Sequence, residues 1–293
     1  AAGKEHRAAA PGAADAGLFP EVQGRAGGFQ GAARPAEACL PGGTVCGLIG
    51  ENGAGKSTLV YLMCGLLTPA SGSVRLEGID VRRRLPITLQ DLFLVPEEFQ
   101  LPDLTLDGLV KNNAPFYPKF SHEDLSRYLE IFEMESSMRL KSLSMGQKKK
   151  VFMAFAFATN TAVLVMDEPT NGLDIPSKSQ FRKVMAQSMS DDKTVIISTH
   201  QVRDVDSILD HILIVDRSRV LLNASVPEIS QRLAFRINSD ASHALYAQPG
   251  INGQMVVEPN DGGEETMIDL EMLFNATQCN PDKITEIFTT KQS

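Results

Sequence analysis

Short apolar runs along the chain alternate with stretches in which apolar residues recur at helical spacing. The runs at 44–49, 162–166 and 194–198 have the length of buried parallel strands. Between the first two runs, Thr105 and Ser121 precede helical patterns, and we predict that both are helix N-caps. Strands that alternate with helical segments indicate an α/β fold, with a parallel sheet flanked by helices.

Composition divides the chain into three regions. Residues 1–39 are rich in Ala, Gly, Arg and Pro without a strand or helix period, which predicts a disordered extension or a segment read in the wrong frame. Residues 40–223 carry the regular pattern of one large domain, with a helical subdomain at about 97–160. Residues 224–293 contain short strand-like runs and an amphipathic stretch, so we expect a small α+β accessory region there.

The overall charge and the cysteines narrow the function. A net charge of -8 argues against a nucleic-acid partner, which would need a basic surface. The run Lys148–Lys150 is interpreted as a solvated helix face. The four cysteines are scattered without metal-site spacing, which favours buried, reduced thiols and a cytosolic compartment. No apolar stretch approaches the roughly 20 residues of a membrane-spanning helix, so any membrane role needs another chain.

The strongest chemical signal follows the first predicted strand, where the chain reads GENGAGKST. This is the G-x-x-x-x-G-K-S pattern of a phosphate-binding loop between a strand and a helix. Its glycines let successive N–H groups converge on phosphate oxygens at a helix N-terminus. Lys56 should reach the terminal phosphates of ATP and Ser57 should coordinate Mg²⁺. The predicted nucleotide-binding residues are Gly50, Glu51, Asn52, Gly53, Ala54, Gly55, Lys56, Ser57 and Thr58.

Two further predicted strands deliver polar residues at their carboxyl ends, where open α/β sheets bind ligands. The second strand ends in Asp167 and Glu168. We predict that Asp167 holds Mg²⁺ through water and that Glu168, one residue later, is the general base that polarises the attacking water. The third strand leads into His200, which we expect to contact the γ-phosphate.

The stretch LSMGQ at 143–147, together with these motifs and in this order, resembles the ATP-binding domain of ABC transporters from about residue 40 to 223. The resemblance implies a P-loop ATPase that works as a homo- or heterodimer with a second ABC ATPase subunit. It implies that Asp174 belongs to a loop linking the two sites. It also implies contact with the ATP held by the opposite subunit for Ser144, Gly146 and Gln147.

Three positions depart from the family pattern. Met145 replaces a usual Gly, while the neighbouring Gly146 is retained. Glu97 occupies the place of a Gln that bridges the metal or a water, so the resemblance makes it a third candidate metal ligand. The adenine-stacking aromatic that the family carries ahead of the phosphate loop has only Phe29 as a counterpart, without a strand pattern around it.

The function that the resemblance implies is an ATP-hydrolysing motor at the cytoplasmic face of a membrane, bound to separate transmembrane permease subunits. The sequence around 171–174 is similar to exporter-type subunits. One alternative is a soluble ABC-type ATPase acting on ribosomes or DNA. Such proteins usually have two cassettes or a long coiled coil, and this sequence shows neither pattern. A neighbouring gene for a protein with several membrane spans would favour transport. Another alternative is a regulator that binds nucleotide without hydrolysing it, against which Glu168 and His200 argue.

Overall fold

The computed structural model describes residues 40, 42–217, 219–238, 241–242, 244–251, 253–263 and 265–289, so Phe29 and the predicted extension lie outside it. The strands are β1 Val45–Ile49, β2 Arg75–Leu76, β3 Ile79–Asp80, β4 Leu92–Val95, β5 Val163–Asp167, β6 Thr194–Thr199, β7 His211–Asp216, β8 Arg219–Ser225, β9 Leu233–Asn238, β10 Tyr246–Gly250 and β11 Gly253–Pro259. The α-helices are α1 Lys56–Met63, α2 Pro86–Leu89, α3 Leu106–Asn113, α4 His122–Ile131, α5 Met145–Ala158, α6 Ile175–Ser188, α7 Val226–Arg232, α8 Leu270–Cys279 and α9 Pro281–Thr289.

The main sheet has the strand order β4-β5-β6-β1-β7-β8. The first five of these strands are mutually parallel, and β8 returns antiparallel to β7. The three strands predicted from their apolar runs are β1, β5 and β6, and they are neighbours. Their carboxyl ends therefore meet at one edge of the sheet, which is the edge that carries the candidate site. The predicted α/β fold with a parallel-dominated sheet is confirmed.

Both faces of the sheet are covered, as a parallel sheet requires. Alternate side chains of β1 enter different clusters: Cys46 and Leu48 pack with α1, whereas Val45 and Ile49 pack with α5 and α6. All four are buried. Since strand side chains alternate between faces, one short apolar run contributes to two cores. These cores fix the edge of the sheet on which the polar residues sit.

The segment between β4 and β5 is helical, with α3, α4 and α5. Thr105 Oγ1 accepts a hydrogen bond from Gly108 N at 3.2 Å, and Ser121 Oγ accepts one from Asp124 N at 3.0 Å. Both predicted N-caps are therefore confirmed. Each satisfies a backbone N–H that the first turn of a helix leaves without an intrahelical partner.

The C-terminal part adds a second sheet with the order β10-β11-β9, all antiparallel, and the helices α7, α8 and α9. Leu273 of α8 and Ile284 of α9 are fully buried in the same apolar cluster that covers β1. The Arg232 guanidinium donates to the carbonyl of Ile287. The C-terminal helices thus share a continuous core with the main sheet. In the described part of the chain, no helix has the length and apolarity to cross a membrane.

The described cysteines agree with the predicted buried, reduced thiols in two cases out of three. Cys46 and Cys64 are buried and unpaired, and burial raises the pKa of each thiol to about 12. Cys279, at the end of α8, is unpaired but exposed. Cys39 lies outside the described residues.

Candidate nucleotide-binding and catalytic site

The loop from Gly50 to Gly55 connects the end of β1 with the start of α1. Gly53 and Gly55 have φ values of 81° and 103°, a conformation that L-residues with side chains rarely adopt. A Cβ on Gly50 would lie 2.6 Å from the carbonyl oxygen of Val215. The N-terminus of α1 has no side-chain cap. The loop therefore presents backbone N–H groups at a helix N-terminus, the arrangement that suits a phosphate.

Lys56, the first residue of α1, is buried and its ammonium group turns back over the loop. Its Nζ donates to the carbonyl oxygens of Gly50 at 2.8 Å and Glu51 at 3.1 Å. It also lies 3.6 Å from Oε1 of Glu168. The predicted phosphate-binding lysine and the predicted base are therefore in direct contact, although they are distant in the sequence.

Glu168 is the most heavily bonded side chain of the site. Its Oε1 lies 2.8 Å from Nδ1 of His200 and accepts from the His200 backbone N–H at 3.1 Å, while Oε2 accepts from Thr199 Oγ1 at 3.1 Å. The residue is 5% exposed, and its backbone φ of 46° is unusual for a residue other than Gly, Asn or Asp. The structure thus brings Glu168 and His200 together, as expected for residues at the ends of adjacent strands.

Asp167 at the end of β5 is 1% exposed, and neither of its carboxylate oxygens has a hydrogen-bond partner among the described residues. An unpaired buried carboxylate is costly, so this residue fits a cation. The described chain contains no group of three or more His, Cys, Asp or Glu side chains arranged for a metal. The Asp167 carboxylate is therefore a sparse donor set, and this suits Mg²⁺, which takes one or two carboxylates and completes its shell with phosphate oxygens and water.

The third candidate metal ligand, Glu97, follows β4 and makes a contact that the sequence did not indicate. Its Oε1 accepts a hydrogen bond from Asn171 Nδ2 at 3.0 Å. Asn171 belongs to the turn that follows Glu168. Oε1 of Glu97 therefore already accepts one hydrogen bond from this turn, whereas no hydrogen bond from the described residues goes to Oε2.

The residues assigned to a partner's site lie apart from this cluster. Ser144 is the N-cap of α5: its Oγ accepts from Gln147 N at 3.3 Å, and Gln147 Oε1 accepts from Ser144 N at 3.0 Å. Both are exposed, and a Cβ on Gly146 would have nothing within 4 Å. Asp174 is the N-cap of α6 and accepts from Ser177 N at 2.9 Å. Hydrogen bonds from Ser177 lower the pKa of its carboxyl.

The interpretation of Lys148–Lys150 as a solvated face is wrong for the middle residue. Lys149 is buried, and its Nζ donates to the carbonyl oxygens of Asn171 at 2.7 Å and Glu168 at 3.3 Å. The helical period explains the difference, because Lys149 lies four residues before Met153, which is buried on the same face of α5. Lys148 and Lys150 are half-exposed.

A cleft of about 880 Å³ opens beside the phosphate loop. One wall contains Gly50, and a second contains His200 and Arg203. The third wall is α8, through Phe274 and through Glu271, which accepts hydrogen bonds from the Arg203 guanidinium. Sequence reasoning assigned no site residue to this helix, because an amphipathic pattern does not say which element the helix packs against.

Fold and site together define a P-loop nucleotide-binding domain. Residues 34–171 match the family model described as ABC transporter. The Nod factor export ATP-binding protein I of Cupriavidus metallidurans is 29% identical over 64% of this chain and 64% of its own length. The methionine import ATP-binding protein MetN of Carboxydothermus hydrogenoformans is 30% identical over 64% of this chain and 59% of its own length.

A solved structure supports the same assignment. CbiO1 from Clostridium perfringens, described as part of the ABC transporter complex CbiONQ, has 26% identity and a TM-score of 0.60, over 73% of this chain and 90% of that one. Residues 34–171 are therefore similar to the ABC transporter family, and the fold is similar to that of an ABC transporter ATP-binding subunit. Both relatives are named as ATP-binding proteins. The names of its relatives include both import and export.

Proposed function

We propose that this chain is the ATP-hydrolysing motor subunit of an ABC transporter and binds MgATP at an interface between two ATPase copies. One cluster carries the proposal: the Glu168 carboxylate lies 2.8 Å from His200 Nδ1 and 3.6 Å from Lys56 Nζ, at the ends of neighbouring strands. Hydrolysis needs a base, a γ-phosphate contact and a cation for the phosphates in one crevice. These three side chains would supply them.

The loop from Gly50 to Thr58 would hold the phosphates. Ser57 and Asp167 would hold Mg²⁺, with Oε2 of Glu97 beside them. When bound, the ion supplies positive charge that neutralises the phosphate oxygens. The unpartnered carboxylate of Asp167 supports this role, because a nearby cation removes the cost of burying it.

Glu168 would take a proton from the attacking water onto a carboxylate oxygen. Oε1 already accepts two hydrogen bonds from His200, so the proton would go to Oε2, whose shorter hydrogen bond is the one from Thr199. The hydrogen bonds from Thr199 and His200 also fix the direction of the carboxylate, which shortens the search for a productive geometry. If His200 donates to Glu168 through Nδ1 and to the γ-phosphate through Nε2, the ring must carry both protons.

In the dimer, Ser144, Gly146 and Gln147 of this chain would contact the nucleotide bound to the second ATPase copy. In the described part of this chain, no hydrogen bond or ion pair joins these residues to the cluster around Glu168. The N-terminus of α5 is exposed and carries the positive end of a helix dipole, so it can approach an anion held by another molecule. Closure of two such copies on ATP would provide the movement that transport requires.

Separate transmembrane permease subunits would convert this movement into transport, with the chain at the cytoplasmic face of the membrane. The names of similar proteins support this proposal. The Nod factor and methionine proteins are named as ATP-binding proteins of export and import, and CbiO1 is described as part of a transporter complex. We expect no nucleic-acid partner.

The test compares MgATP hydrolysis and molecular mass in solution for the native chain and for Glu168→Gln. The substitution keeps the size of the side chain and removes the base, so the rate should fall roughly 10²- to 10⁴-fold. ATP binding should persist, and ATP should shift the variant from monomer to dimer, measured by light scattering.

Glu123→Gln is the matched control, because Glu123 is an exposed acid on α4 away from the site. It should hydrolyse ATP at the native rate. Hydrolysis by Glu168→Gln at that same rate would refute the role of Glu168. ATP binding by the native chain without any hydrolysis would favour a regulator over a motor.

A further inference from the structure

Lys149 is buried, although burial of a charged ammonium group is unfavourable. It is 8% exposed, and burial lowers the pKa of its ammonium group, an effect opposed by the carboxylates of Glu97 and Glu168. Lysine is rarely buried unless its charge is paired or hydrogen-bonded. The contacts of Lys149 therefore show what the protein uses this residue for.

Those contacts converge on the turn that follows β5. Lys149 Nζ donates to the carbonyl oxygens of Glu168 and Asn171. The turn also has its own bonds, from Asn171 N to Glu168 O at 3.2 Å and from Leu173 N to Thr170 O at 3.1 Å. Lys149 thus ties both ends of the turn to α5.

The turn needs such support because of its first residue. Glu168 has left-handed backbone torsion angles, which cost energy in a residue with a long side chain and persist only where the surroundings hold them. Release of its carbonyl oxygen would let the backbone relax. The carboxylate would then move away from His200 and Thr199, because the side chain leaves from the same Cα.

We propose that Lys149 is a positioning residue for ATP hydrolysis, which holds the turn from Glu168 to Asn171 and through it the direction of the Glu168 carboxylate. This inference rests on the proposed role of Glu168 as the base. The hydrogen bonds of the Lys149 ammonium group go to backbone carbonyls of the turn, so its removal should change the rate of the chemical step more than the affinity for ATP. Glu97 supports the same turn from the other side, through the Asn171 amide.

The test uses Lys149→Met, which keeps most of the side-chain length and removes the donor. We expect kcat to fall roughly 10- to 100-fold, in the range that small misplacements of a reacting group produce. The KM for ATP should stay within about twofold of the native value. Lys149→Arg retains a donor of similar reach and should recover part of the loss.

Lys193→Met is the matched control. Lys193 is also a buried lysine that donates to a backbone carbonyl, that of Phe157 at 3.1 Å, but it makes no contact with the turn. This variant should keep the native kcat. In a Glu168→Gln background, Lys149→Met should add little further loss, because both changes act on one group. A general structural defect would instead add its full loss in that background.

Amide hydrogen exchange at Asn171 and Leu173 gives a readout that does not depend on hydrolysis, and it should be faster in Lys149→Met than in the native chain. Native exchange at these amides, or a native kcat in a folded Lys149→Met variant, would overturn the proposal. If Lys149→Met fails to fold, a Lys149→Arg variant with the native kcat and faster exchange would overturn it equally. Failure of the proposed function has a different signature, namely equal rates for the native chain and Glu168→Gln.

Discussion

Lys193 gives a prediction about stability whose sign and size follow from its surroundings. It precedes β6, is 3% exposed, and its Nζ donates to Phe157 O and lies 5.5 Å from the centre of the Phe157 ring. Burial lowers its pKa from 10.5 to about 8. The folded state therefore gives up this proton at a lower pH than the unfolded state does.

The sign follows from which state binds the proton. Between pH 8 and 10.5 the unfolded chain holds more protons at this position, so the free energy of unfolding rises with pH across that window. The difference between the two pKa values corresponds to about 3 kcal/mol in total. Roughly 1 kcal/mol of that should appear between about pH 7 and about pH 9.

The assay is urea unfolding of the native chain and of Lys193→Met at about pH 7, 8 and 9. The variant has no titrating group there, so the difference in unfolding free energy between the two proteins isolates Lys193. Native stability minus variant stability should rise with pH. The buried thiols of Cys46 and Cys64 are common to both proteins, and their raised pKa values act in the opposite direction only above about pH 9. A difference that stays flat or falls with pH would refute the reasoning.

Two further predictions concern groups whose surroundings are equally specific. Among the described cysteines, Cys279 should react with iodoacetamide in the native protein while Cys46 and Cys64 react only after denaturation, as mass spectrometry of digested peptides would show; early labelling of Cys46 would contradict its burial. Gly50→Ala should weaken ATP binding measured by calorimetry, because the added Cβ meets the Val215 carbonyl at 2.6 Å, whereas Gly262→Ala meets nothing within 4 Å and should bind as the native chain does. Native affinity in Gly50→Ala would show that the loop relaxes without cost.

The parts of the site that sequence predicts are those in which chemistry and local structure are encoded together. The run from Gly50 to Thr58 specifies a strand end, a turn that only glycine can make and a helix start, so both its conformation and its ligand follow from nine letters. Asp167, Glu168 and His200 follow strand-like runs, and the parallel sheet brings strand ends together.

Contacts that depend on packing between distant segments were not predictable in this way. Lys149 lies in a run of three lysines, and such a run predicts side chains exposed to solvent. Only the phase of α5, set by the apolar residues that follow it, turns this one lysine inward. The pairing of β9 with β11 and the position of α8 beside the phosphate loop likewise depend on long-range contacts. Short strand-like runs and an amphipathic pattern do not specify which other element each segment packs against.

The order of strands explains why the candidate site needs the whole sheet rather than any single motif. β6 lies between β5 and β1, and the side chains after these strands come from three separate parts of the sequence. Glu168 leaves the end of β5 and Lys56 follows β1, so the two can meet at 3.6 Å only across the end of β6. That end supplies Thr199 and His200, which form hydrogen bonds with the same carboxylate. A change in the register of β6 by one residue would exchange the faces of its side chains and remove both contacts at once, although every motif would remain intact in the sequence.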